Sequence, residues 1–205
     1  MEDLHVPMIG ISRHRLSTDG KGVTTLVAFH GCPLRCAYCI NPQCFNTEPA
    51  IIMTPKELLN ILMKDNLYFL ATGGGVTFGG GEPLLKYQFI VEFIKIMPKE
   101  WNVTLETSLN VPAINLQHVA PYMDYFIVDI KDWDNNIYQK YTGKDNCYVV
   151  SNLKWLSENG YSNKVTIRLP LIPEYNTEVD IQKSRSILEK MGFSHFDEFR
   201  YRIKK

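Results

Sequence analysis

Four of the five cysteines in this chain fall within thirteen residues, at positions 32, 36, 39 and 44. A loop can wrap thiolates at this spacing around one compact centre, and iron–sulfur clusters are held by cysteine thiolates, ordinarily four of them. A cluster bound only by Cys32, Cys36 and Cys39 would leave one iron with an open position, as catalytic metal sites do. Such a position suits a chelating substrate. The cysteine loop, residues 30–45, is therefore the first candidate site.

Two other metal sites remain open for the same loop. A structural zinc site could take Cys44 as its fourth ligand, because cysteine pairs separated by two to four residues also suit zinc. A cluster held by all four cysteines is a further alternative. Zinc ligands usually come as separated pairs, which favours the three-cysteine cluster and leaves Cys44 as a free thiol. The remaining cysteine, Cys147, is interpreted as a buried apolar residue.

The glycine-rich run GGGEP at residues 79–83 is a second candidate site, because it lies between a predicted strand and a predicted helix. Glycine has no Cβ, so the backbone can approach a ligand closely, and its carbonyls can accept hydrogen bonds from an ammonium group. The run matches neither the dinucleotide-binding nor the phosphate-loop pattern, which disfavours a nucleotide-phosphate site. A flexible turn is the structural alternative.

Charged residues recur near the carboxyl ends of three predicted strands. In the first, Glu106 and Ser108 share a face; in the second, Asp129 and Lys131 do; in the third, Arg168 lies between apolar residues. Charges directed from successive strands towards one place are costly to bury unless they are paired or bound to a ligand. We therefore expect a polar ligand site here. Structural salt bridges or a solvated rim are the alternatives.

Strand-like and helix-like segments alternate along the chain and would position these residues. The predicted strands are Val23–Phe29 and residues 76–78, 102–108, 125–131, 164–172 and 196–203. The predicted helices are residues 54–66, with a capping box of Thr54 and Glu57, then 83–98, 112–120, 135–141, 149–159 and 177–191. This alternation predicts parallel βαβ units. An open doubly wound sheet and a partial barrel fit it equally.

Composition excludes several classes of protein. The 205 residues are 45% hydrophobic and 21% charged, which is enough to bury a core, and 22 basic side chains balance 22 acidic ones. A general nucleic-acid or membrane-surface binder normally has a basic excess, so neither partner is expected. No signal peptide or membrane span is predicted. We expect one cytoplasmic domain over residues 1–205, with RYRIKK at residues 200–205 as a solvated tail.

The cysteine loop resembles the signature of the radical S-adenosylmethionine (SAM) superfamily. Cys32, Cys36 and Cys39 have its spacing, and the aromatic Tyr38 precedes the last cysteine. Further landmarks resemble the glycyl-radical-enzyme activating enzymes, particularly those of the pyruvate formate-lyase type. They are DGKG at residues 19–22, GGGVTFGGGEP at 73–83, LETS at 105–108, DIK at 129–131, IR at 167–168 and IPEYN at 172–176.

The resemblance implies a partial (β/α)6 TIM-like barrel and a [4Fe–4S] cluster bound by Cys32, Cys36 and Cys39. In this superfamily one electron from the reduced cluster cleaves SAM to methionine and a 5′-deoxyadenosyl radical, which abstracts a hydrogen atom. Here the hydrogen would come from a glycine Cα of a large glycyl radical enzyme such as pyruvate formate-lyase. A flavodoxin-like protein would supply the electron. No conventional acid–base catalyst is implied.

The resemblance also implies the residues that bind the cofactors. The glycine-rich run would bind the SAM amino group, and Glu106 and Thr107 would bind a monovalent cation beside the SAM carboxylate, with Asp129 nearby. Lys131 and Arg168 would neutralise the carboxylate or orient the ribose, and Tyr38 would contact the adenine. The expected cofactor-binding residues are Tyr38, Gly80, Gly81, Glu82, Glu106, Thr107, Asp129, Lys131 and Arg168.

The cysteine count narrows the choice within this family. Only Cys44 lies between Cys39 and Gly73, so no ferredoxin-like insert is expected, and only Cys147 lies further along, so no C-terminal auxiliary-cluster domain is expected. Two other enzymes remain as alternatives, an activase of anaerobic ribonucleotide reductase and a peptide-modifying radical SAM maturase. A zinc-binding interaction module is the alternative that is not an enzyme.

Overall fold

The structure is a computed structural model that describes residues 4–16, 18–48 and 51–201. These residues form the strands β1 (Val6–Leu16), β2 (Val23–Phe29), β3 (Ile51–Met53), β4 (Gly75–Gly80), β5 (Asn102–Thr107), β6 (Tyr125–Asp129), β7 (Val165–Leu171) and β8 (His195–Arg200). They also form the helices α1 (Pro55–Leu62), α2 (Asn66–Thr72), α3 (Tyr87–Ile96), α4 (Ala113–Val119), α5 (Asn135–Thr142), α6 (Cys147–Glu158) and α7 (Glu178–Lys190). The chain divides into two compact units.

The first unit comprises residues up to 32, residues 41–107 and residues 114–125. Its strands are ordered β3-β1-β2-β4-β5, with β1 antiparallel to both neighbours and β2, β4 and β5 parallel to one another. Phe29, Phe78 and Phe93 pack ring against ring in its core. Parallel pairing places the carboxyl ends of β2, β4 and β5 at one edge, where the cysteine loop and the glycine-rich run begin.

The second unit comprises residues 33–40 and 108–113 and the chain from residue 126 onward. The strands β6, β7 and β8 are parallel, with Asp129 of β6 opposite Arg168 of β7 and Arg168 opposite Asp197 of β8. Helix α7 packs against β7 through Ile181 and Leu188, which are both buried. Asp129 and Arg168 are therefore brought to neighbouring positions on one sheet.

All six predicted strands are found, but β1 and β3 were not predicted. In β1 only Val6 and Met8 are buried, and most side chains from Ser12 onward are exposed, so the alternation typical of a strand is short. Their pairing is antiparallel, which the βαβ prediction did not include. Residues 202 and 203 of the last predicted strand lie outside the described residues. The prediction of a single domain over the whole chain stays a prediction.

Two predicted helices are interrupted. The capping box of Thr54 and Glu57 is confirmed, but the helix it starts ends at Leu62, and a single 3-10 turn separates it from α2. The helix expected from Pro83 begins with a 3-10 turn, Pro83–Lys86, before α3. Both corrections concern a tightened turn, a local geometry that hydrophobic periodicity does not distinguish from an α-helix.

Two expected environments are wrong. Cys147 is exposed, because it is the first residue of α6 and not part of the buried face of that helix. Its backbone N–H donates a hydrogen bond to Asp145 Oδ1, which fixes the start of the helix at this residue. Tyr201, expected in a solvated tail, is only partly exposed, and its hydroxyl accepts a hydrogen bond from Lys131. The rest of that tail, residues 202–205, lies outside the described residues. Among the described helices, none has the length and apolarity to cross a membrane.

Candidate functional site

The cysteine loop leaves β2 in the first unit. The backbone N–H of His30 donates to Pro7 O at 3.1 Å, and that of Gly31 donates to Cys44 O at 3.0 Å. The side chain of Cys44 is buried, whereas that of Cys32 is partly exposed. The start of the loop is thus fixed by β1 and by its own end, with Cys32 presented at its surface.

The glycine-rich run is hydrogen-bonded to the start of this loop. The N–H of Gly81 donates to Phe29 O at 2.9 Å, and that of Glu82 donates to Gly31 O at 2.8 Å. The backbone φ of Gly80 is +99°, and a Cβ there would lie 2.6 Å from Phe29 N. A side chain is excluded at Gly80 on both grounds, so the close approach of the two segments requires glycine.

Glu82 and Thr107 form a buried polar pair in the first unit. The carboxylate of Glu82 has no exposed surface and accepts hydrogen bonds from Thr107 Oγ1 at 2.6 Å and from Leu84 N at 3.1 Å. The Glu106 carboxylate lies beside the glycine-rich run, with Oε2 3.3 Å from where a Cβ of Gly79 would stand. Gly80, Gly81, Glu82, Glu106 and Thr107 are therefore gathered at one edge of the sheet; their role in binding a cofactor stays a prediction.

The middle of the cysteine loop, residues 33–40, lies in the second unit and caps the end of α5. The N–H of Arg35 donates to Thr142 O at 2.8 Å and that of Ala37 donates to Tyr141 O at 3.0 Å. The last carbonyls of a helix have no partner within the helix, so the loop satisfies two groups that would otherwise be orphaned. A further bond of 3.2 Å joins Cys39 N to Cys36 O. These bonds fix the backbone on either side of Cys36.

An ion pair between Asp129 and Lys131 lies beside Cys36. The Lys131 side chain is 10% exposed, and its ammonium contacts Asp129 Oδ2 and donates to the Tyr201 hydroxyl at 3.2 Å. Burial alone would lower the pKa of Lys131, but Asp129 and its other neighbours outweigh burial and raise that pKa well above its ordinary value. The ammonium is therefore fully charged at neutral pH.

The ion pair leaves two features that point to a ligand. Asp129 Oδ1 is buried and accepts no hydrogen bond from the described residues, which is a cost unless a ligand supplies a donor or a cation. Burial raises the pKa of the Cys36 thiol to about 11, while the Lys131 charge acts in the opposite direction. Binding of iron would release the thiol proton, and the nearby ammonium would then face a thiolate.

Arg168 and Tyr38 are the other two predicted cofactor-binding residues in the second unit. The Arg168 side chain is 17% exposed, and its Nε lies 3.4 Å from Asp197 Oδ2. The Tyr38 hydroxyl donates to Glu174 Oε2 at 3.2 Å, and its ring packs against those of Tyr141 and Tyr175. Tyr38, Asp129, Lys131 and Arg168 all lie in the second unit.

The donor set fits an iron–sulfur cluster. Cys32, Cys36 and Cys39 form no disulfide and are each partly exposed, and thiolates are the ligands that iron–sulfur clusters require. Among the described residues, no three histidine, cysteine or acidic side chains are grouped closely enough to hold a single metal ion. A four-iron cluster is larger than a single ion, so the three thiolates that would hold it need not be grouped this closely.

The sequence profile of the Radical SAM superfamily matches residues 26–182, which include the three cysteines, the glycine-rich run and Arg168. The chain belongs to this superfamily. It is 33% identical over 174 residues to the pyruvate formate-lyase-activating enzyme of Clostridium pasteurianum, a match that covers 84% of this chain and 72% of that protein. It is 29% identical to the (2S)-3-sulfopropanediol dehydratase activating enzyme of Klebsiella oxytoca, covering 85% of this chain and 74% of the relative.

Both relatives are glycyl-radical activases, so the resemblance seen in the sequence is confirmed. This radical SAM protein is accordingly an enzyme of the activating-enzyme type. Membership of the superfamily implies a [4Fe–4S] cluster and SAM as cofactors.

Solved structures of SuiB from Streptococcus suis share the fold. The form bound to S-adenosylmethionine gives a TM-score of 0.67 at 16% identity, covering 88% of this chain and 44% of SuiB. The form bound to precursor peptide SuiA gives 0.66 at 17% identity, with coverages of 85% and 39%. The radical SAM chain thus spans about two fifths of the length of SuiB. The predicted α/β fold class, a partial (β/α)6 barrel, is confirmed.

Three residues near the cysteine loop were not predicted as part of the site. Tyr201 accepts a hydrogen bond from Lys131, Tyr141 packs against Tyr38, and Glu174 accepts the Tyr38 hydrogen bond. Only Glu174 had a signal in the sequence, its place in the segment IPEYN. The two tyrosines depend on tertiary packing, which no local pattern reveals.

Proposed function

We propose that this radical SAM enzyme abstracts a hydrogen atom from a glycine Cα of a large glycyl radical enzyme. The observation that carries the proposal is the partly exposed three-cysteine loop with the charged Lys131 beside Cys36, within a region that matches the superfamily. The substrate is inferred from the relatives, which are named as activating enzymes of pyruvate formate-lyase and of a dehydratase.

Cys32, Cys36 and Cys39 would hold the [4Fe–4S] cluster, leaving one iron for SAM. When bound, the reduced cluster would supply one electron for the cleavage of SAM into methionine and the 5′-deoxyadenosyl radical. The protein's own groups bind and orient the reactants and exclude water from them. No side chain is assigned a proton-transfer role, because hydrogen-atom abstraction needs none.

Charged and polar groups would bind and orient SAM. Lys131 and Arg168 carry the positive charge that a carboxylate requires, and the unpartnered Oδ1 of Asp129 can accept a hydrogen bond or bind a cation. The carbonyls of Gly80 and Gly81 and the buried Glu82 would accept hydrogen bonds from the SAM ammonium group. The monovalent cation at Glu106 and Thr107, and the adenine contact of Tyr38, belong to the same proposal.

The first experiment tests cluster and cofactor together. The purified chain is reconstituted anaerobically with iron and sulfide, reduced with dithionite in the presence of SAM, and assayed for 5′-deoxyadenosine. Wild-type protein should form the product and Cys36→Ala should not. Cys44→Ala is the matched control and should retain both iron and activity, because the buried Cys44 is not a proposed ligand. Bound zinc with no cluster would overturn the proposal.

The second experiment tests the substrate. The reduced enzyme and SAM are mixed anaerobically with purified pyruvate formate-lyase, and the glycyl radical is measured by electron paramagnetic resonance (EPR). A doublet that requires SAM and is absent with Cys36→Ala is the expected result. SAM cleavage without a radical on pyruvate formate-lyase would reject that partner. Testing anaerobic ribonucleotide reductase and candidate precursor peptides in the same assay would then discriminate the two alternative enzymes. We further propose that a flavodoxin-like donor replaces dithionite in the cytoplasm.

A further inference from the structure

The backbone of Glu174 adopts a conformation that side chains disfavour. Its φ is +71°, in the left-handed region where L-amino acids place Cβ too close to the backbone. Glu174 lies in the loop between β7 and α7 and is exposed, so burial does not impose this conformation. A strained residue persists only where its surroundings over-determine it, and such residues cluster at functional sites.

Asn176 provides the rigid frame that holds the strained residue. Its amide Nδ2 donates to Pro170 O and to Asp132 Oδ2, both at 3.0 Å, and its Oδ1 accepts from Ile172 N at 2.6 Å. The Asn176 side chain is 8% exposed, so these bonds are shielded from water. The loop of residues 172–176 is therefore closed on itself, with Glu174 at its apex.

The side chain of Glu174 reaches the cysteine loop. Its Oε2 accepts the hydrogen bond from Tyr38, 136 residues earlier and directly before Cys39. The neighbouring Tyr175 packs its ring edge-on against Tyr38, with ring centroids 5.7 Å apart. One short loop thus contacts Tyr38 through both its phenolic oxygen and its ring.

We propose that Glu174 is a positioning residue that holds Tyr38, and through it the Cys36–Cys39 half of the cysteine loop, in the geometry that retains the cluster. The inference rests on the proposed function, because it assigns the cysteines to a cluster. It goes beyond that function by giving the β7–α7 loop a defined part in cluster retention. On this proposal, the left-handed backbone of Glu174 is the conformation that directs its carboxylate to the Tyr38 hydroxyl.

Two measurements on the reconstituted protein test this role. One is the rate of iron release to a ferrous chelator under anaerobic conditions; the other is hydrogen–deuterium exchange of residues 33–40. Glu174→Ala should accelerate both by roughly two- to tenfold, the shift that loss of one hydrogen bond produces. Tyr38→Phe keeps the ring and should give the same acceleration. Glu174→Gln retains an acceptor oxygen and should restore rates close to wild type.

A double variant separates positioning from a general structural effect. If the two side chains act through their mutual bond, Tyr38→Phe combined with Glu174→Ala should release iron no faster than either single variant. Glu178→Ala, which removes an exposed carboxylate four residues away, is the matched control and should leave both rates unchanged. Additive effects in the double variant, or wild-type rates for Glu174→Ala, would overturn the proposal.

The strain itself gives an independent readout in the cluster-free protein. Glycine tolerates the left-handed region, so Glu174→Gly should melt at a higher temperature than Glu174→Ala, while both accelerate exchange of residues 33–40. Equal melting temperatures would contradict the strained conformation. Failure of the wild-type chain to hold any cluster would reject the proposed function, whereas unchanged exchange in the cluster-free Ala variant would reject only the role of Glu174.

Discussion

The ammonium of Lys131 donates a hydrogen bond of 3.2 Å to the phenolic oxygen of Tyr201. The same ammonium forms an ion pair with Asp129 and stands 5.6 Å from the centroid of the Tyr201 ring. Lys131 is therefore fixed by a carboxylate on one side and a tyrosine on the other. This arrangement holds a positive charge at a constant position beside Cys36, which is where a bound thiolate and an anionic substrate group would need it.

Replacing Tyr201 by phenylalanine removes an acceptor from a nearly buried ammonium. We expect the free energy of unfolding to fall by about 1.5 kcal/mol, the lower end of what a hydrogen bond to a charged group contributes, because Lys131 keeps its ion pair with Asp129. Urea denaturation measured by circular dichroism checks this value. Tyr122→Phe, at a tyrosine that is 45% exposed, should change stability by less than half as much. An equal loss in both variants would contradict a specific role for Tyr201.

Replacing Lys131 by methionine should be more damaging, because it leaves the Asp129 carboxylate largely buried without its counter-charge. We expect a loss of about 3 kcal/mol in the free energy of unfolding, the lower end of the cost of breaking a buried pair, since Asp129 keeps some exposure. Adding Asp129→Asn to this variant should recover most of the loss. A double variant as unstable as Lys131→Met alone would mean that the unpaired charge is not the cause.

The glycine at position 81 is required by the close approach of two backbones. A Cβ there would lie 2.2 Å from Gly31 O, next to Cys32. Gly81→Ala should therefore lower the free energy of unfolding by about 1–3 kcal/mol and reduce the iron bound after reconstitution. Gly10→Ala is the matched control, because a Cβ at Gly10 meets no atom within 4 Å. Equal iron content in the two variants would show that the contact does not affect the loop.

The hydrogen bond from Thr107 to Glu82 satisfies a carboxylate that has no access to water. Thr107→Val preserves the shape of the side chain but removes the donor, so stability should fall by about 1–3 kcal/mol. Thr107→Ser keeps the hydroxyl and loses only a methyl group, so it should be the more stable of the two variants. Urea denaturation checks this order: Thr107→Ser should have the higher midpoint. A higher midpoint for Thr107→Val would mean that methyl packing, and not the hydrogen bond, stabilises the protein here.

Stability should fall in acid partly through Asp65. Burial alone would raise the pKa of this carboxyl, but hydrogen bonds from Arg13 and Thr25 outweigh burial and hold the pKa below its ordinary value. A depressed folded-state pKa gives stability that is present above the unfolded-state pKa, near 4, and is lost as the pH falls through the folded-state value. The free energy of unfolding of Asp65→Asn should therefore depend less on pH below about 4 than that of the wild type. Parallel pH profiles would contradict this.

The sequence predicts the parts of this enzyme that depend on local pattern. The cysteine spacing identifies the loop, and β-branched runs such as Val23–Phe29 identify the strands, because both are properties of neighbouring residues. The left-handed backbone of Lys131 and Glu174 is imposed by tertiary contacts, so no local signal predicts it. Likewise Tyr201 joins the site only because β8 ends beside Lys131. The prediction that Cys147 is buried is wrong because the burial of a helical residue depends on where the helix starts.

The Asn176 side chain that closes the β7–α7 loop also bears on how long the protein stays intact. Asparagine deamidates when the backbone nitrogen of the next residue attacks its side-chain carbonyl, and such residues limit protein lifetime in heat. Here that nitrogen, on Thr177, donates a hydrogen bond to Asp180 Oδ2 at 3.0 Å in the capping box of α7. This bond occupies the N–H proton that the nitrogen must lose before it can attack. The cap of α7 therefore also slows deamidation of Asn176. That reaction would place a new carboxylate against Asp132 and Pro170 O, where the Asn176 amide now donates.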